Sequence, residues 1–245
     1  MMNPFSRSEP LFGQEGMARL RKARVAVFGV GGVGGYAAEA LVRSGVGHVD
    51  LFDNDDVALT NLNRQIAALH STLGQPKAAV MAQRLRDVNP EAEITIHQLF
   101  YLPENADTID LRCFDYIIDA VDTVAAKLEL ITRADRLGVP VISAMGAGNK
   151  LDPTRLKVAD IYETRECRLA RVIRSECRKR GVKRLRVVYS TEPPVVIAAD
   201  NGEAPAASRR AVPASAIFVP AAMGLILAGE AVRAIAAPAG PGEGR

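Results

Sequence analysis

Arg24-Val25-Ala26-Val27-Phe28-Gly29-Val30-Gly31-Gly32-Val33-Gly34 is the stretch that decides the fold. Five residues of mostly apolar character ending in glycine read as a short buried strand. Residues 34–44 then carry apolar side chains at helical spacing and stop at Gly45, a helix closed by glycine. Residues 48–52 (HVDLF) form a second strand that ends at Asp53. Strand, glycine-rich turn, helix and strand make a βαβ unit. The turn fits G-x-G-x-x-G, whose glycines let backbone N–H groups at a helix start approach a phosphate. Asp53 lies 24 residues after Gly29, at the tip of the second strand, where a carboxylate can accept hydrogen bonds from both ribose hydroxyls.

Outward from this unit the rhythm repeats. Residues 55–70 are polar and asparagine-rich, a loop with some helix. Residues 77–88 form a helix closed by Asn89-Pro90, followed by strands at 93–98 and 116–120. A helix over 125–137 is broken by Gly138-Val139-Pro140 before another strand at 141–144. Strands alternating with helices predict an α/β protein with a doubly wound, mostly parallel, Rossmann-like sheet. Beyond Asp152, strands at 156–161 and 185–189 flank a basic helix, and 215–236 are helical. The expected organisation is an ATP-binding region at 1–152. An extension at 153–236 completes the same domain and carries the basic helix, and residues 237–245 form a disordered tail.

Of the 245 residues, 48% are apolar and 24% charged, which excludes wholesale disorder and collagen-like repeats. With no Trp and only 5% aromatics, the core is expected to be aliphatic. Cys113, Cys167 and Cys177 are widely spaced and form no C-x-x-C pair, which argues against a disulfide framework and a four-thiolate zinc site. Free thiols fit the cytoplasm, and residues 1–13 lack the apolar core of a signal peptide. Residues 211–229 are uncharged, but Pro213 and Pro220 interrupt them, and a bilayer span needs about 20 apolar residues. A buried helix is expected there, with no membrane insertion. The net charge of +3 hides an asymmetry: ten basic residues lie between Arg165 and Arg186, opposed only by Glu166 and Glu176.

The choice between a dinucleotide and ATP turns on Asn61-Leu62-Asn63-Arg64-Gln65, which follows Asp53-Asn54-Asp55-Asp56. A dinucleotide site needs no such cluster. Arg64 offers a planar fork to phosphate oxygens, and Lys77 adds a positive charge at a helix start. Asp122 stands just past the carboxyl end of a strand, where open sheets bind ligands, and suits magnesium beside a triphosphate.

These motifs, with Thr60 and Gly74-Gln75-Pro76-Lys77, resemble the superfamily of ubiquitin-activating enzymes and of bacterial enzymes that adenylate sulfur-carrier proteins, over residues 5–232. The resemblance implies that Gly29, Gly31, Gly32, Gly34, Asp53, Asp55, Asn61, Arg64, Gln65 and Lys77 bind ATP. It implies that Arg64, Lys77 and Asp122 serve catalysis, with Asp122 holding Mg2+. Arg7 would reach the phosphates of the neighbouring subunit in a homodimer. The reaction of the superfamily is attack of a carboxylate on the α-phosphate, giving an acyl-adenylate and pyrophosphate. The two C-x-x-C pairs of the sulfur-carrier branch are missing, and no separate catalytic-thiol domain fits. Residues 5–9, 63–66, 143–154 and 190–192 look like the tRNA threonylcarbamoyladenosine dehydratase branch. Its members adenylate the threonylcarbamoyl carboxylate of an anticodon-loop adenosine in tRNA, which then cyclises. Two alternatives stay open: an adenylyltransferase acting on a carrier-protein C-terminus, and a nucleotide-sensing RNA-binding module without turnover. A sulfur-relay protein is a further candidate partner.

The basic segment is consistent with an RNA substrate. On a helix over 165–179, Arg168, Arg171, Arg174 and Arg178 fall on one side and Leu169, Val172, Ile173 and Cys177 on the other. Lys179 and Arg180 extend the charge, so this face is expected to contact RNA backbone. The positive charge near Cys167 and Cys177 favours lowered thiol pKa values. Intramolecular cyclisation needs no enzyme nucleophile, and no catalytic cysteine is expected.

Overall fold

The computed structural model describes residues 3–197 and 213–238. A seven-stranded sheet runs in the order β3-β2-β1-β4-β5-β7-β6. Its strands are β1 (Arg24–Phe28), β2 (His48–Phe52), β3 (Glu93–His97), β4 (Tyr116–Asp119), β5 (Val141–Ala144), β6 (Leu156–Asp160) and β7 (Arg186–Ser190). All neighbours pair in parallel except β6 with β7, so the expected doubly wound sheet and its C-terminal strands are present. The strand order reverses between β1 and β4. At that point two carboxyl ends diverge and leave a crevice.

The helices are α1 (Glu9–Lys22), α2 (Gly34–Arg43), α3 (Lys77–Val88), α4 (Val124–Leu137), α5 (Arg168–Lys179) and α6 (Phe218–Ala236). One face of the sheet packs Val25, Val27 and Ile118 against Leu41 of α2, Met81 of α3 and Met223, Leu227 and Ala231 of α6. The other face carries two smaller clusters under α4 and α5. α1 has little apolar periodicity, breaks at Gly13 and buries only Gly16, Met17 and Leu20, so its sequence gave no helical signal.

The core is aliphatic on the α2–α6 face, as the composition suggests, but the aromatics are not scattered. Phe28 stacks on Phe52 at 4.1 Å between ring centroids, Phe52 on His97 at 4.0 Å, and Tyr101 meets Phe28 edge-on at 5.0 Å. These rings gather at the carboxyl ends of β1 and β2. α6 is long and apolar enough to cross a bilayer, yet half of it is buried in this fold. It lies directly on the start of α2: a Cβ at Gly224 would fall 2.2 Å from the Val33 carbonyl oxygen. Residues 211 and 212 of the uncharged stretch and 239–245 of the expected tail lie outside the described residues.

In the middle of β2, the buried Asp50 carboxylate accepts two hydrogen bonds at 2.8 Å from the Arg24 guanidinium and one at 2.8 Å from His97. Burial alone would raise the Asp50 pKa, but these donors outweigh it and hold it below the ordinary range. A depressed carboxyl contributes stability that is present above its unfolded pKa and is lost as pH falls through the folded value. Asp50→Asn is therefore expected to cost roughly 2 kcal/mol at neutral pH. It should also flatten the loss of melting temperature below about pH 4. Parallel acid limbs for wild type and variant would contradict this.

Candidate functional site

A cavity of about 340 Å³ opens at the crevice between β1 and β4. Its floor is the Gly29–Gly34 loop. Gly29 adopts φ +85, and a Cβ there would sit 2.7 Å from the Ala120 carbonyl oxygen, so only glycine lets the loop lie on the turn after β4. Gly29, Gly31 and Gly32 line the cavity. Gly34 does not, but it packs its backbone against Gly29.

Asp53 is pinned beside this loop. Its carboxylate accepts from Val30 N–H at 2.6 Å and from Asp55 N–H at 2.9 Å. Burial pushes its pKa up against the pull of those donors, a cost that leaves an acceptor facing the cavity. Lys77, at the start of α3, is 6% exposed, and its Nζ meets the Asp55 carboxylate at 2.7 Å. Arg64 is half-buried on the rim, held by Nη1 contacts to Thr60 O at 2.8 Å and Asn63 Oδ1 at 2.9 Å. Gln65 is buried, lines the cavity, and its Oε1 has no hydrogen-bond partner. Asp122 is exposed on the opposite rim with a single 3.3 Å contact from the Thr123 hydroxyl.

Two residues predicted for the nucleotide site, Asn61 and Arg7, stand elsewhere. Asn61 is buried, but its Oδ1 accepts from Ala58 N–H at 3.0 Å and closes a turn. It does not line the cavity and instead shapes the loop that carries Arg64 and Gln65. Arg7 is exposed and away from the cavity of its own chain. Asp119, beside Asp122 in sequence, is wholly buried against Lys127. The sequence reading missed the apolar wall formed by Phe28, Phe52, Leu99, Phe100 and Tyr101, and the roof from Pro213, Ser215 and Pro220. The aromatics at the last positions of β1 and β2 and shortly after β3 were the available signal for the wall. Nothing local in the sequence announced the roof.

α5 begins at Arg168, and its buried stripe is Ala170, Ile173 and Cys177. Val172 is 45% exposed, which corrects its place on the apolar side: it lies about 130° from the centre of that stripe at 100° per residue. Arg174 is also corrected. It leans over the flank and donates to Thr164 O at 2.8 Å and Thr164 Oγ1 at 2.7 Å. Arg168 and Arg171 are exposed, Arg178 sits over the Tyr162 ring at 5.3 Å, and Lys179 and Arg180 both pair with Glu176. Burial drives the Cys177 thiol up to about 11 and also raises Cys113. The expected lowering by nearby cations is therefore outweighed at Cys177.

The family model described as the ThiF family matches residues 5–243. The chain is 45% identical over 239 residues to the tRNA threonylcarbamoyladenosine dehydratase of Bacillus subtilis (strain 168), covering 95% of this chain and 94% of that one. It is 38% identical over 196 residues to the enzyme of that name from Escherichia coli (strain K12), covering 77% and 73%. A crystal structure of E. coli tRNA N6-threonylcarbamoyladenosine dehydratase, TcdA, in complex with AMP superposes with a TM-score of 0.85 at 34% identity, covering 95% of this chain and 93% of that chain. A second, in complex with ATP, gives 0.83. A match across nearly all its length, on a fold with the glycine loop at the sheet's switch point, shows that this chain belongs to the ThiF family.

Proposed function

We propose that this protein is an ATP-dependent tRNA threonylcarbamoyladenosine dehydratase. The observation that carries the reading is the cavity itself. A glycine loop, a buried acceptor (Asp53) and two cations (Arg64 and Lys77) converge on it, in a chain 45% identical to a dehydratase of that name. Residues 1–152 supply the nucleotide site, and residues 153–236 add the basic helix and the roof.

In this reading Asp53 binds the ribose hydroxyls, and the Gly29–Gly34 backbone at the start of α2 receives the phosphates. Asp55 holds Lys77 in place, and the orphaned Gln65 Oε1 and the Arg64 fork face the nucleotide. Asn61 supports them from below. The apolar wall takes the base. An oxygen of the threonylcarbamoyl carboxylate attacks the α-phosphorus, and the bond to pyrophosphate breaks. Arg64 and Lys77 stabilise the charge that grows on the leaving group. Ring closure within the activated group then breaks the acyl–phosphate bond and releases AMP. The residues present fit magnesium. Asp122 offers a hard oxygen ligand with only one weak contact of its own, and no cluster of three or more metal-ligating side chains occurs among the described residues. An ion held by one carboxylate, the triphosphate and water is the usual mode for Mg2+, and it would neutralise phosphate charge.

Arg7 is exposed and does not line its own cavity, and in this reading it acts in a homodimer on the partner's phosphates. A sulfur-relay protein remains a candidate partner, and a cytoplasmic setting suits a tRNA substrate. The test is mass spectrometry of tRNA nucleosides after incubation with protein, ATP and Mg2+. The cyclic nucleoside should appear with AMP and pyrophosphate. Pyrophosphate exchange stimulated by a small protein ending in Gly-Gly, and not by tRNA, would overturn the reading.

α5 is proposed as part of the RNA surface. Replacing Arg168, Arg171 and Arg178 with Gln should weaken tRNA binding and flatten the slope of log K against log salt by about 2–3, one step of roughly 0.7–0.9 per phosphate contact. ATP affinity should hold. Arg174→Gln is expected to act differently, lowering stability through the lost Thr164 contacts with little change in slope. An unchanged slope in the triple variant would make this helix an ordinary solvated face.

A further inference from the structure

A fully buried ion pair lies beneath the cavity. Lys127 of α4 and Asp119 of β4 are both 0% exposed, with Nζ to Oδ2 at 2.7 Å. Ser143 of β5, also 0% exposed, donates to the same carboxylate oxygen at 2.5 Å and contacts Lys127 Nζ at 3.1 Å. The other carboxylate oxygen accepts from Val121 N–H at 3.2 Å. Removing two charges from water costs about as much as their attraction returns, so an apolar pair would serve stability as well. What the pair does supply is a fixed geometry, and it supplies it at the turn that leads to Asp122.

The neighbouring residue is held differently. Ala120 N–H donates to Phe28 O at 2.8 Å, so β1 anchors Ala120 independently, and it is Ala120 that underlies Gly29. Val121, one step closer to Asp122, hangs from the Asp119 carboxylate, which Lys127 and Ser143 orient. Lys127 also lies in the first turn of α4, its N–H on Thr123 O at 3.0 Å. The ends of two strands and the start of a helix are thus tied around one carboxylate. Asp122 sits within the loop they enclose.

We propose that Lys127 is a positioning residue for the metal: through Asp119 and Ser143 it fixes the Val121–Asp122 turn so that the Asp122 carboxylate meets a nucleotide-bound divalent cation. The inference rests on the reading of Asp122 as the magnesium ligand. It separates metal affinity from nucleotide affinity, because the brace reaches Asp122 and Ala120 is held by β1.

The test uses Mn2+ as a spectroscopic probe, with its binding to the full chain followed by electron paramagnetic resonance in the presence of a non-hydrolysable ATP analogue. Lys127→Met leaves the buried Asp119 charged without a counter-charge, so the double variant Lys127→Met with Asp119→Asn is measured beside it. The double variant carries no unpaired buried charge and should remain folded, as thermal unfolding will report. Both are expected to weaken Mn2+ binding about 10-fold or more, the usual effect of losing an outer-shell partner. Analogue affinity without metal should stay within about threefold, which a general loosening of the site would not allow. Asp122→Ala supplies the reference. If Asp122→Ala weakens Mn2+ binding and the folded double variant does not, Lys127 only fills the core and the proposal falls. If Asp122→Ala itself leaves Mn2+ affinity unchanged, the underlying metal assignment is wrong and the proposal goes with it.

Discussion

Asp122→Asn is expected to lower AMP formation by about 100-fold or more, the effect of removing one group that stabilises transition-state charge. The substitution keeps the shape of the side chain and removes its charge. Asp122 is exposed and contacts only the Thr123 hydroxyl, so no buried partner is orphaned and the melting temperature should not move. Raising Mg2+ should recover part of the loss, since the role proposed for Asp122 puts the defect in holding the ion. Turnover within a few-fold of wild type at limiting Mg2+ would remove Asp122 from the site.

Gly34→Ala is the second large effect. A Cβ at Gly34 would lie 1.7 Å from the Gly29 carbonyl oxygen and 2.9 Å from its carbon, both backbone atoms that cannot swing aside. The loop and the start of α2 would have to separate. That is expected to cost on the order of 3 kcal/mol, a fall in melting temperature of roughly 6–12 °C for a chain of this size. ATP binding should disappear with it, because the helix start no longer meets the phosphates. Gly229→Ala is the matched control. Nothing lies within 4 Å of a Cβ there, and the position is inside α6. Alanine should therefore be neutral, or gain up to about 1 kcal/mol. A Gly34→Ala protein that melts and binds ATP like wild type would contradict the close packing of loop and helix.

Local chemistry made part of this molecule readable in advance. β1, the glycine loop, α2 and β2 announce themselves because each obeys a short-range rule: an apolar run, a turn that needs glycine, a helical stripe closed by Gly45. Lys77 and Arg64 could be picked out as cations beside that loop. What escaped depends on distance in the chain or on rotation. Lys127 looks in sequence like any helical lysine, and only the meeting of β4, β5 and α4 reveals it as buried. Val172 and Arg174 were misplaced because the stripe of α5 centres on Ala170, Ile173 and Cys177, so that Val172 falls well away from it and Arg174 on its flank. Asn61 was grouped with the ATP ligands by the family resemblance alone, and local sequence did not announce that its Oδ1 accepts from Ala58 N–H three residues back. α1 has too few apolar residues to signal at all.

The roof of the cavity has a consequence for how the protein is made. Pro213, Ser215 and Pro220 close the nucleotide site, Ser215 O accepts from Asn63 Nδ2 at 2.8 Å, and α6 lies against the start of α2. During synthesis the sheet strands and α2 emerge from the ribosome well before α6, and domains assemble as their parts become available. Until α6 docks, Leu41 and Val42 of α2 lack their cover, and the loop beneath them has no lid. A nascent chain stalled before residue 213 should therefore expose apolar surface and fail to retain ATP. Competence to bind nucleotide would arrive only once α6 has been made and has docked on α2.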